Sequence, residues 1–370
     1  MMCREAGIIP SEGGNLVQTE KDFIFAISEK EEIMRSMHLI RYGLACVLAW
    51  ACVGGVRAQD MHLSQSFSNP LYINPAFAGT SDCGRIGVAY RNQWPNIGGG
   101  FSLATVTYDQ YIKALHGGIG AYVNADFQGG GTFRDITAAF MYAFRAQLGG
   151  KLFLTLAVEG SYSNRYVNWN SLTFPDQYDP FLGLVQGRPT QENLPNTPMS
   201  KHHADVAAGL MLYGEYFYVG FSASHLTRPD IGFMAKYRMD MKFSAQAGGM
   251  IYFRNSYGER HSELDFSLSP NIIYIQQGKF TELNYGLYGN FYPFVAGLWF
   301  RQSFSNPDAV IFLFGGEFKG IRLAYSYDLT VSKLTARSGG SHEISLGFRL
   351  PCAKQRSVRR EIMPVPCPKF

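Results

Sequence analysis

Apolar and polar residues alternate with a period of two through most of this chain, and this alternation limits its possible folds more than any other feature. In the clearest stretch, 343–350, the apolar residues Ile344, Leu346 and Phe348 are separated by polar or small ones. The same alternation recurs at 152–159, 263–268 and 321–329. A period of two places successive side chains on opposite faces of a β-strand. The sequence therefore predicts strands with one apolar and one polar face.

The alternating stretches are numerous and long enough to cross a membrane. We count about 14 segments, each near the ~9–11 residues that a tilted membrane strand needs. They lie near 84–94, 101–111, 115–127, 133–148, 151–164, 203–214, 217–226, 238–252, 262–277, 281–291, 294–305, 309–317, 320–331 and 341–350. Nearly all of the 17 prolines fall between segments, where a missing N–H is harmless. Pro270 is the exception, and it predicts a bulge or an earlier end of the ninth segment.

Connection lengths separate a membrane barrel from a secreted β-sandwich. Charged residues make up only 17% of the chain, whereas soluble domains carry about a quarter. If the chain starts in the periplasm, the longest connection, 165–202, falls outside the cell. The tight connections 148–151, 214–216 and 318–320 fall inside, as in bacterial barrels. The eighth connection, 255–261, is longer than this pattern predicts. We therefore predict an all-β fold, a transmembrane antiparallel β-barrel of about 14 strands.

The N-terminal region contains an export signal. A short polar region with Arg41 precedes an apolar stretch at 43–56, and a small–x–small pattern ends at Ala58. We interpret 1–36 as an extension ahead of the true start and 37–58 as the signal peptide. The predicted barrel then spans 59–350, and 351–370 form a periplasmic C-terminal tail. This organisation predicts an integral outer-membrane protein that is exported through its signal peptide.

Motifs for catalysis, metal binding or nucleic-acid binding are absent from the sequence. It contains no G-x-S-x-G elbow, H-E-x-x-H helix or paired C-x-x-C. The glycine-rich stretches 117–120 and 129–131 open no amphipathic helix, so we interpret them as strand and turn glycines. His202 and His203 lack a third ligand at a recognisable spacing, which favours solvated rim histidines. A net charge of +4 gives no reason to expect nucleic acid. We predict no enzyme, cofactor or metal.

Three cysteines remain after the signal peptide. Cys83 immediately precedes the first predicted strand and Cys352 follows the last, so barrel closure brings both to the periplasmic rim. Because the periplasm is oxidising, we hypothesise a Cys83–Cys352 disulfide across the seam. Pairing of Cys83 with Cys367, or free thiols, are the alternatives, since spacing alone does not fix connectivity.

Contacts with partner proteins are expected at the two rims of the barrel. The long outer connection contains two acids among aromatics and prolines at 174–180, which suits either a partner site or a rigid loop folded into the lumen. The tail is a basic end that is either solvated or available to a periplasmic partner. The candidate contact residues are Trp94, Asp176 and Tyr178 at the outer rim and Arg359 and Arg360 in the tail.

The predicted mature N-terminus carries a recognisable block. Residues 59–65 and 69–80 resemble the mature N-terminus of the PorP/SprF family, membrane proteins of the type IX secretion system of Bacteroidota. Shorter matches follow in the same order at 90–95, 108–110, 115–120, 176–177, 325–328, 341–344 and 367–370. The resemblance thus covers the entire mature chain, although only the N-terminal block is specific.

The resemblance implies an outer-membrane barrel that works with the secretion machinery. Such a protein would help to export, or to anchor at the surface, cargo with a C-terminal sorting domain, such as gliding adhesins. Its partners would be periplasmic and outer-membrane components of the system and the lipid membrane, with no catalytic residue. The alternative is a passive outer-membrane channel or a hydrophobic-substrate transporter. Lumen-facing positions of the predicted strands are small or polar, which allows either an open or a closed lumen.

Overall fold

The computed structural model describes most of the predicted barrel. The described residues are 60–81, 83–179, 181, 183–185, 187–192, 198–253, 266–303, 307–331 and 338–350. The predicted extension, the signal peptide and the C-terminal tail lie outside these residues, as do Cys352, Arg359 and Arg360. Those predictions therefore stay predictions.

The described residues form one large antiparallel sheet and one small hairpin. The strands are β1 Arg85–Gln93, β2 Phe101–Ile112, β3 Gly117–Gln128, β4 Phe133–Gly149, β5 Leu152–Val167, β6 Tyr178–Asp179, β7 Gly183–Leu184, β8 Met199–Tyr213, β9 Phe217–Ser224, β10 Lys242–Gly249, β11 Ile251–Tyr252, β12 Ser267–Gln277, β13 Phe280–Phe291, β14 Phe294–Ser303, β15 Pro307–Phe318, β16 Ile321–Thr330 and β17 Ser341–Arg349. Strands β6 and β7 pair only with each other, as a hairpin in the long connection.

The large sheet closes on itself. Each wall strand pairs with its neighbours in the chain, β10 also pairs with β12, and β1 pairs with β17. Strands β10 and β11 are one strand interrupted at Met250, so the described wall is a closed barrel of 14 strands. The predicted fold class and most predicted segment bounds are confirmed.

Helices are few and short in the described part of the chain. The α-helix α1 is Pro70–Ile73, and the 3-10 helices are Pro75–Phe77, Lys113–Leu115, Gly129–Gly131, Trp169–Ser171 and Pro175–Gln177. No helix among the described residues is long and apolar enough to span a membrane.

The two faces of the wall have opposite chemistry. In β2, the side chain of Val106 is 51% exposed on the outside, whereas its neighbours Thr105 and Thr107 are only 2% and 4% exposed. The same contrast separates the exposed Leu156 and Val158 from the buried Thr155 in β5. Apolar side chains therefore face the surroundings and polar ones face the lumen, as expected for a barrel in lipid.

Connection lengths distinguish the two ends of the barrel. We call the end with the connections β1–β2, β3–β4, β5–β8, β9–β10 and β16–β17 the loop end. The opposite end, where β1 begins and β17 ends, carries tight connections such as β4–β5 and β13–β14 and is the turn end. Two connections depart from this rule: β12–β13 is tight although it lies at the loop end, and the eighth connection, β11–β12, is long although it lies at the turn end, as the sequence predicted. Longer connections face the cell exterior in bacterial barrels, so the loop end corresponds to the outside and the turn end to the periplasm.

Pro270 lies inside β12, and both sequence interpretations of it are wrong. Strand β12 runs through Pro270 with no shift of register against β13, so there is neither a bulge nor an early end. On its other side, β12 pairs with β10 up to Gly248 and resumes with β11 at Ile251. Proline has no N–H to donate, and the ladder is therefore interrupted opposite Pro270 while the register is kept.

Candidate functional site: a chain segment inside the barrel

The residues that precede β1 lie inside the barrel. We call residues 60–80 the luminal segment. It is largely buried, including its polar side chains Ser64, Gln65, Asn69 and Asn74. Its hydrogen bonds reach strands around the wall, from β2 and β3 through β9 and β10 to β16 and β17. This segment coincides with the block that carries the sequence resemblance.

Two Asn-Pro pairs fold the middle of the luminal segment. The Asn69 side chain accepts a hydrogen bond from the Tyr72 N–H and caps α1, which Pro70 begins. The Asn74 side chain likewise accepts from the Ala76 N–H ahead of Pro75. Asparagine is a favoured helix cap and proline suits the first helical position, so the sequence itself specifies these two turns.

The same two asparagines attach the luminal segment to the wall. The Asn74 amide donates to the carbonyl oxygens of Leu210 and Phe221, both at 3.2 Å, and to Gln246 Oε1 at 3.1 Å. The Asn69 amide donates to Thr105 Oγ1 at 2.8 Å. Each asparagine therefore shapes the segment with its oxygen and binds the barrel with its nitrogen.

An aromatic cluster fills the lumen beside these bonds. The ring of Phe67 contacts Tyr218, Tyr288 and Trp299 at centroid distances of 6.3, 6.3 and 6.0 Å. Phe77 contacts Tyr218 from the other side at 5.9 Å. Aromatic side chains bury large apolar areas, so this cluster stabilises the seated segment in addition to its hydrogen bonds.

A buried charge network holds the segment at Ser64 and Gln65. The Glu343 carboxylate accepts from the backbone N–H groups of Ser64 and Gln65 at 2.7 and 3.1 Å. Arg91 donates to Asp328 at 3.0 Å and to Glu343 at 3.4 Å, and its guanidinium also contacts the Ser64 hydroxyl. Arg301 donates to the same Asp328 oxygen at 2.9 Å. Two arginines and two carboxylates thus compensate each other out of contact with solvent.

The loop end of the segment is held by charges. Asp60 Oδ2 lies 2.8 Å from His225 Nε2 and 2.7 Å from Lys242 Nζ, and the other His225 nitrogen lies 2.6 Å from Asp205. Burial raises the pKa of Asp60, but His225 and Lys242 outweigh burial and hold it well below its usual range. Burial lowers the pKa of His225, but the two carboxylates outweigh it and raise this pKa to about 9.

The turn end of the segment is held by close backbone approach. A Cβ atom added at Gly118 of β3 would lie 2.2 Å from the Ala78 carbonyl oxygen, and one at Gly209 of β8 would lie 2.2 Å from Asn74 Oδ1. Only glycine leaves room for the luminal segment at these positions. The glycine motif 117–120 is therefore strand glycine, as predicted, with the added reason that the luminal segment lies against it.

Two cavities flank the loop end of the segment, on either side of Asp60 and Met61. One has a mainly apolar lining, which includes Ile73, Ile273, Ile275 and Phe280. The other is polar and is lined by charged groups that include Asp126, Asp135, Glu159, Arg165 and His225. The luminal segment thus leaves small recesses at the loop end.

The predicted outer-rim residues lie on two different connections. Trp94 belongs to the β1–β2 connection, donates its backbone N–H to the Gly340 carbonyl at 2.9 Å and packs its ring edge-on against Phe101. Asp176 accepts from the Gln191 N–H at 2.5 Å within the long β5–β8 connection, and this bond lowers its pKa. The Tyr178 side chain is 52% exposed on β6. All three lie at the loop end, as predicted.

The long connection does not fill the lumen, so that interpretation of 174–180 is wrong. None of its described residues is buried, and the Phe181 side chain at the tip of the β6–β7 hairpin is 96% exposed. Short turns within the connection satisfy its own polar groups, such as Phe174 N–H to Gln177 Oε1. The lumen is occupied instead by the luminal segment, which sequence periodicity did not identify.

The structure shows that Cys83 forms a disulfide and that the two adjacent histidines lie on different faces of the wall. Cys83 is disulfide-bonded, and its partner lies outside the described residues, so pairing with Cys352 stays a prediction. His202 and His203 point to opposite faces of β8: His202 stacks on Tyr162 outside, and His203 lines the polar cavity.

Comparisons with known proteins identify one matching sequence family and several outer-membrane proteins of similar structure. The sequence profile of the family described as type IX secretion system membrane protein PorP/SprF matches residues 56–348. No curated protein matches the chain.

Among solved structures, the chain is similar to outer-membrane proteins at very low identity. The crystal structure of the Acinetobacter baumannii outer membrane protein Omp33 has 8% identity and a TM-score of 0.39, with 72% of this chain and 98% of that chain covered. A Pseudomonas aeruginosa FadL homologue has 11% identity and a TM-score of 0.38, with 72% and 90% covered.

Proposed function

The chain belongs to the PorP/SprF family of type IX secretion system membrane proteins, and we propose that it aids the export or surface anchoring of cargo with a C-terminal sorting domain. It is an integral protein of the outer membrane and a component of that secretion system. Gliding adhesins are the type of cargo that we expect. In this proposal the protein is not an enzyme and acts through contacts at its two rims.

The luminal segment is the observation that favours action at the rims. Its buried aromatic cluster and charge network occupy the lumen across its width, from Thr105 of β2 to Gln246 of β10. A cargo polypeptide would have to displace this segment before it could pass through the barrel. Contact with partners at the loop end and the turn end requires no such displacement.

The hairpin in the long connection is the best candidate surface at the loop end. The side chains of Tyr178, Phe181 and Leu184 are 52%, 96% and 43% exposed, on a connection outside the membrane wall. Exposed aromatic anchors of this kind are frequent at the centres of protein interfaces. We propose that this hairpin contacts cargo or another outer-membrane component, with Trp94 and Asp176 contributing at the same end.

The first experiment compares a deletion strain with its parent by proteomics of medium, cell surface and periplasm. We expect one or more proteins with C-terminal sorting domains to be lost from the surface or the medium. Complementation with Tyr178→Ala plus Phe181→Ala should restore the barrel but not this export. Tyr216→Ala is the matched control, because Tyr216 is 51% exposed at the turn end. Unchanged export in the deletion strain contradicts the proposal.

The tail is the proposed contact on the periplasmic side. Truncation of 353–370, or Arg359→Ala with Arg360→Ala, should release periplasmic components of the secretion system from the purified protein. Full retention of those components by both variants, judged by co-purification, contradicts this half of the proposal.

A hydrophobic-substrate transporter is the second candidate, because one cavity at the loop end has an apolar lining. Ile273, Ile275 and Phe280 line it beside Met61 of the luminal segment. This function predicts slower uptake of apolar solutes by the deletion strain with export unchanged. An open passive channel is not favoured, since the luminal segment occupies the lumen.

A further inference from the structure

One arginine at the turn end of the lumen is buried without a carboxylate. Arg145 of β4 is 7% exposed, and its Nη2 donates to the Gly79 carbonyl of the luminal segment at 2.6 Å. The rings of Tyr111 and Tyr213 cover the guanidinium, at 4.7 and 5.7 Å. Within the described residues Arg145 forms no ion pair. Asp109, which binds the Gly79 N–H, is engaged by Arg85.

Two nitrogens of the Arg145 guanidinium also lack a partner in the described structure. Nε and Nη1 of Arg145 are buried and make no hydrogen bond there, and the buried hydroxyls of Tyr213 and Thr155 have no partner other than each other. Thr155 lies directly across from Arg145 in the β4–β5 pairing. Tyr213 follows two residues after Met211, the partner of Thr155 in β8, and so shares the lumen-facing side. Two guanidinium N–H groups without an acceptor therefore lie beside a pair of hydroxyls that have no partner outside the pair.

Other buried arginines of the lumen do not share this arrangement. Arg91 and Arg301 both contact Asp328, and Arg165 lies 2.5 Å from Asp135. Leaving a buried charge without a counter-charge is far more costly than leaving a neutral group without one. Cation–π contacts with two tyrosines reduce that cost but leave the N–H groups at the edge of the guanidinium unsatisfied. The geometry calls for an acceptor that carries negative charge.

We propose that a small monovalent anion of the size of chloride binds at Arg145, held by the guanidinium and by the hydroxyls of Tyr213 and Thr155. A single-atom anion accepts hydrogen bonds from several directions and needs little room between packed strands. It would neutralise Arg145 and fix the group that binds Gly79, where the luminal segment leaves the lumen. This site does not depend on the secretion role.

Halide-dependent stability and bromide scattering test the site directly. The full mature protein in detergent is melted while chloride replaces gluconate at constant ionic strength, and crystals soaked in bromide are measured at the bromine edge. We expect the melting temperature to rise and saturate with chloride, and an anomalous peak within contact distance of Arg145. Thr155→Val should need about tenfold more chloride for the half-maximal rise in melting temperature, because it removes one hydrogen bond to a charged group.

Two arginine variants separate a bound anion from a general salt effect. Arg145→Met should abolish the chloride dependence, whereas Arg165→Met should lower the melting temperature and keep the dependence. Should Arg145→Met not fold, Thr155→Val and Tyr213→Phe carry the same test with one donor removed each. Chloride-independent melting of the parent, or bromide peaks only elsewhere as an adventitious ion, overturns the proposal.

Discussion

The two ends of the luminal segment are held by different physics. At the loop end, the Asp60 carboxylate lies between His225 and Lys242, and this contact depends on charge and on pH. At the turn end, Ala78 and Gly79 lie against the backbone of Gly118, where a single added carbon has no room. The loop end should therefore respond to alkaline pH, and the turn end to side-chain volume in addition to its contacts with Asp109 and Arg145.

Deletion of the luminal segment should have the largest effect, because it removes both ends at once. We expect a variant that lacks 60–80 to conduct ions in planar bilayers, whereas the parent stays closed. The resistance of the folded barrel to SDS at low temperature, seen as a shift in gel mobility, controls for folding. A folded variant that conducts no more than the parent contradicts the assignment of this segment as the closure.

Arg91→Met should cause the largest loss of stability for a single substitution. Arg91 is 2% exposed, and its removal leaves Asp328 and Glu343 with less compensation. We expect the free energy of unfolding in urea to fall by about 3–5 kcal/mol. The control is Arg228→Met, because Arg228 is 49% exposed and 3.9 Å from Asp240. An exposed pair contributes about 1 kcal/mol or less, so equal losses for both variants would rule out the buried network.

Gly118→Ala tests the turn end by volume alone. The new methyl group would meet the Ala78 carbonyl oxygen, a backbone atom that cannot rotate away. We expect the free energy of unfolding to fall by about 3 kcal/mol, in the upper part of the range for overpacked sites. We also expect faster proteolysis within 60–80. Gly160→Ala is the matched control, because an added Cβ there has nothing within 4 Å. Equal protease resistance of the two variants contradicts the close approach.

Alkaline pH should weaken only the loop end, by a smaller amount. The pKa of His225 is raised to about 9 in the folded protein, above its ordinary value of 6.5. The stabilisation of the folded protein by protonated His225 is therefore complete below pH 6.5 and is lost as the pH rises through 9. We expect the free energy of unfolding to fall by about 2 kcal/mol between about pH 7 and about pH 9.5. His225→Gln should flatten this part of the stability profile; a profile with the same slope in the variant would assign the dependence to other groups.

The wall of the barrel could be predicted from sequence because its pattern is local. Every wall strand falls on an alternating segment, and the β1 prediction of 84–94 differs from the observed Arg85–Gln93 by one residue at each end. Alternation fixes which side chains face lipid without knowledge of distant partners. The prediction for Pro270 was wrong because the proline interrupts the neighbouring strand, between β10 and β11, and leaves its own strand β12 continuous.

The luminal segment could not be predicted because its order comes from distant residues. Its sequence has no period of two, and its partners lie up to 280 positions away in the chain. Two local signals were present: the Asn-Pro pairs at 69–70 and 74–75, and the glycines of β3. Neither indicates a position inside a barrel until the wall is built around it. The resemblance identified this block as distinctive and gave no reason for it.

The buried contact between Gln65 and Glu343 has a consequence for biogenesis. Among the described residues, the luminal segment is made first and β17 last, and 278 positions separate the partners of this contact. The contacts of Ser64 and Gln65 with Glu343 can therefore form only after the last strand has joined the first. A barrel without β17 would still hold Asn69 and Asn74 but would leave Ser64 and Gln65 without these acceptors, so we expect this part of the segment to be more accessible to proteases.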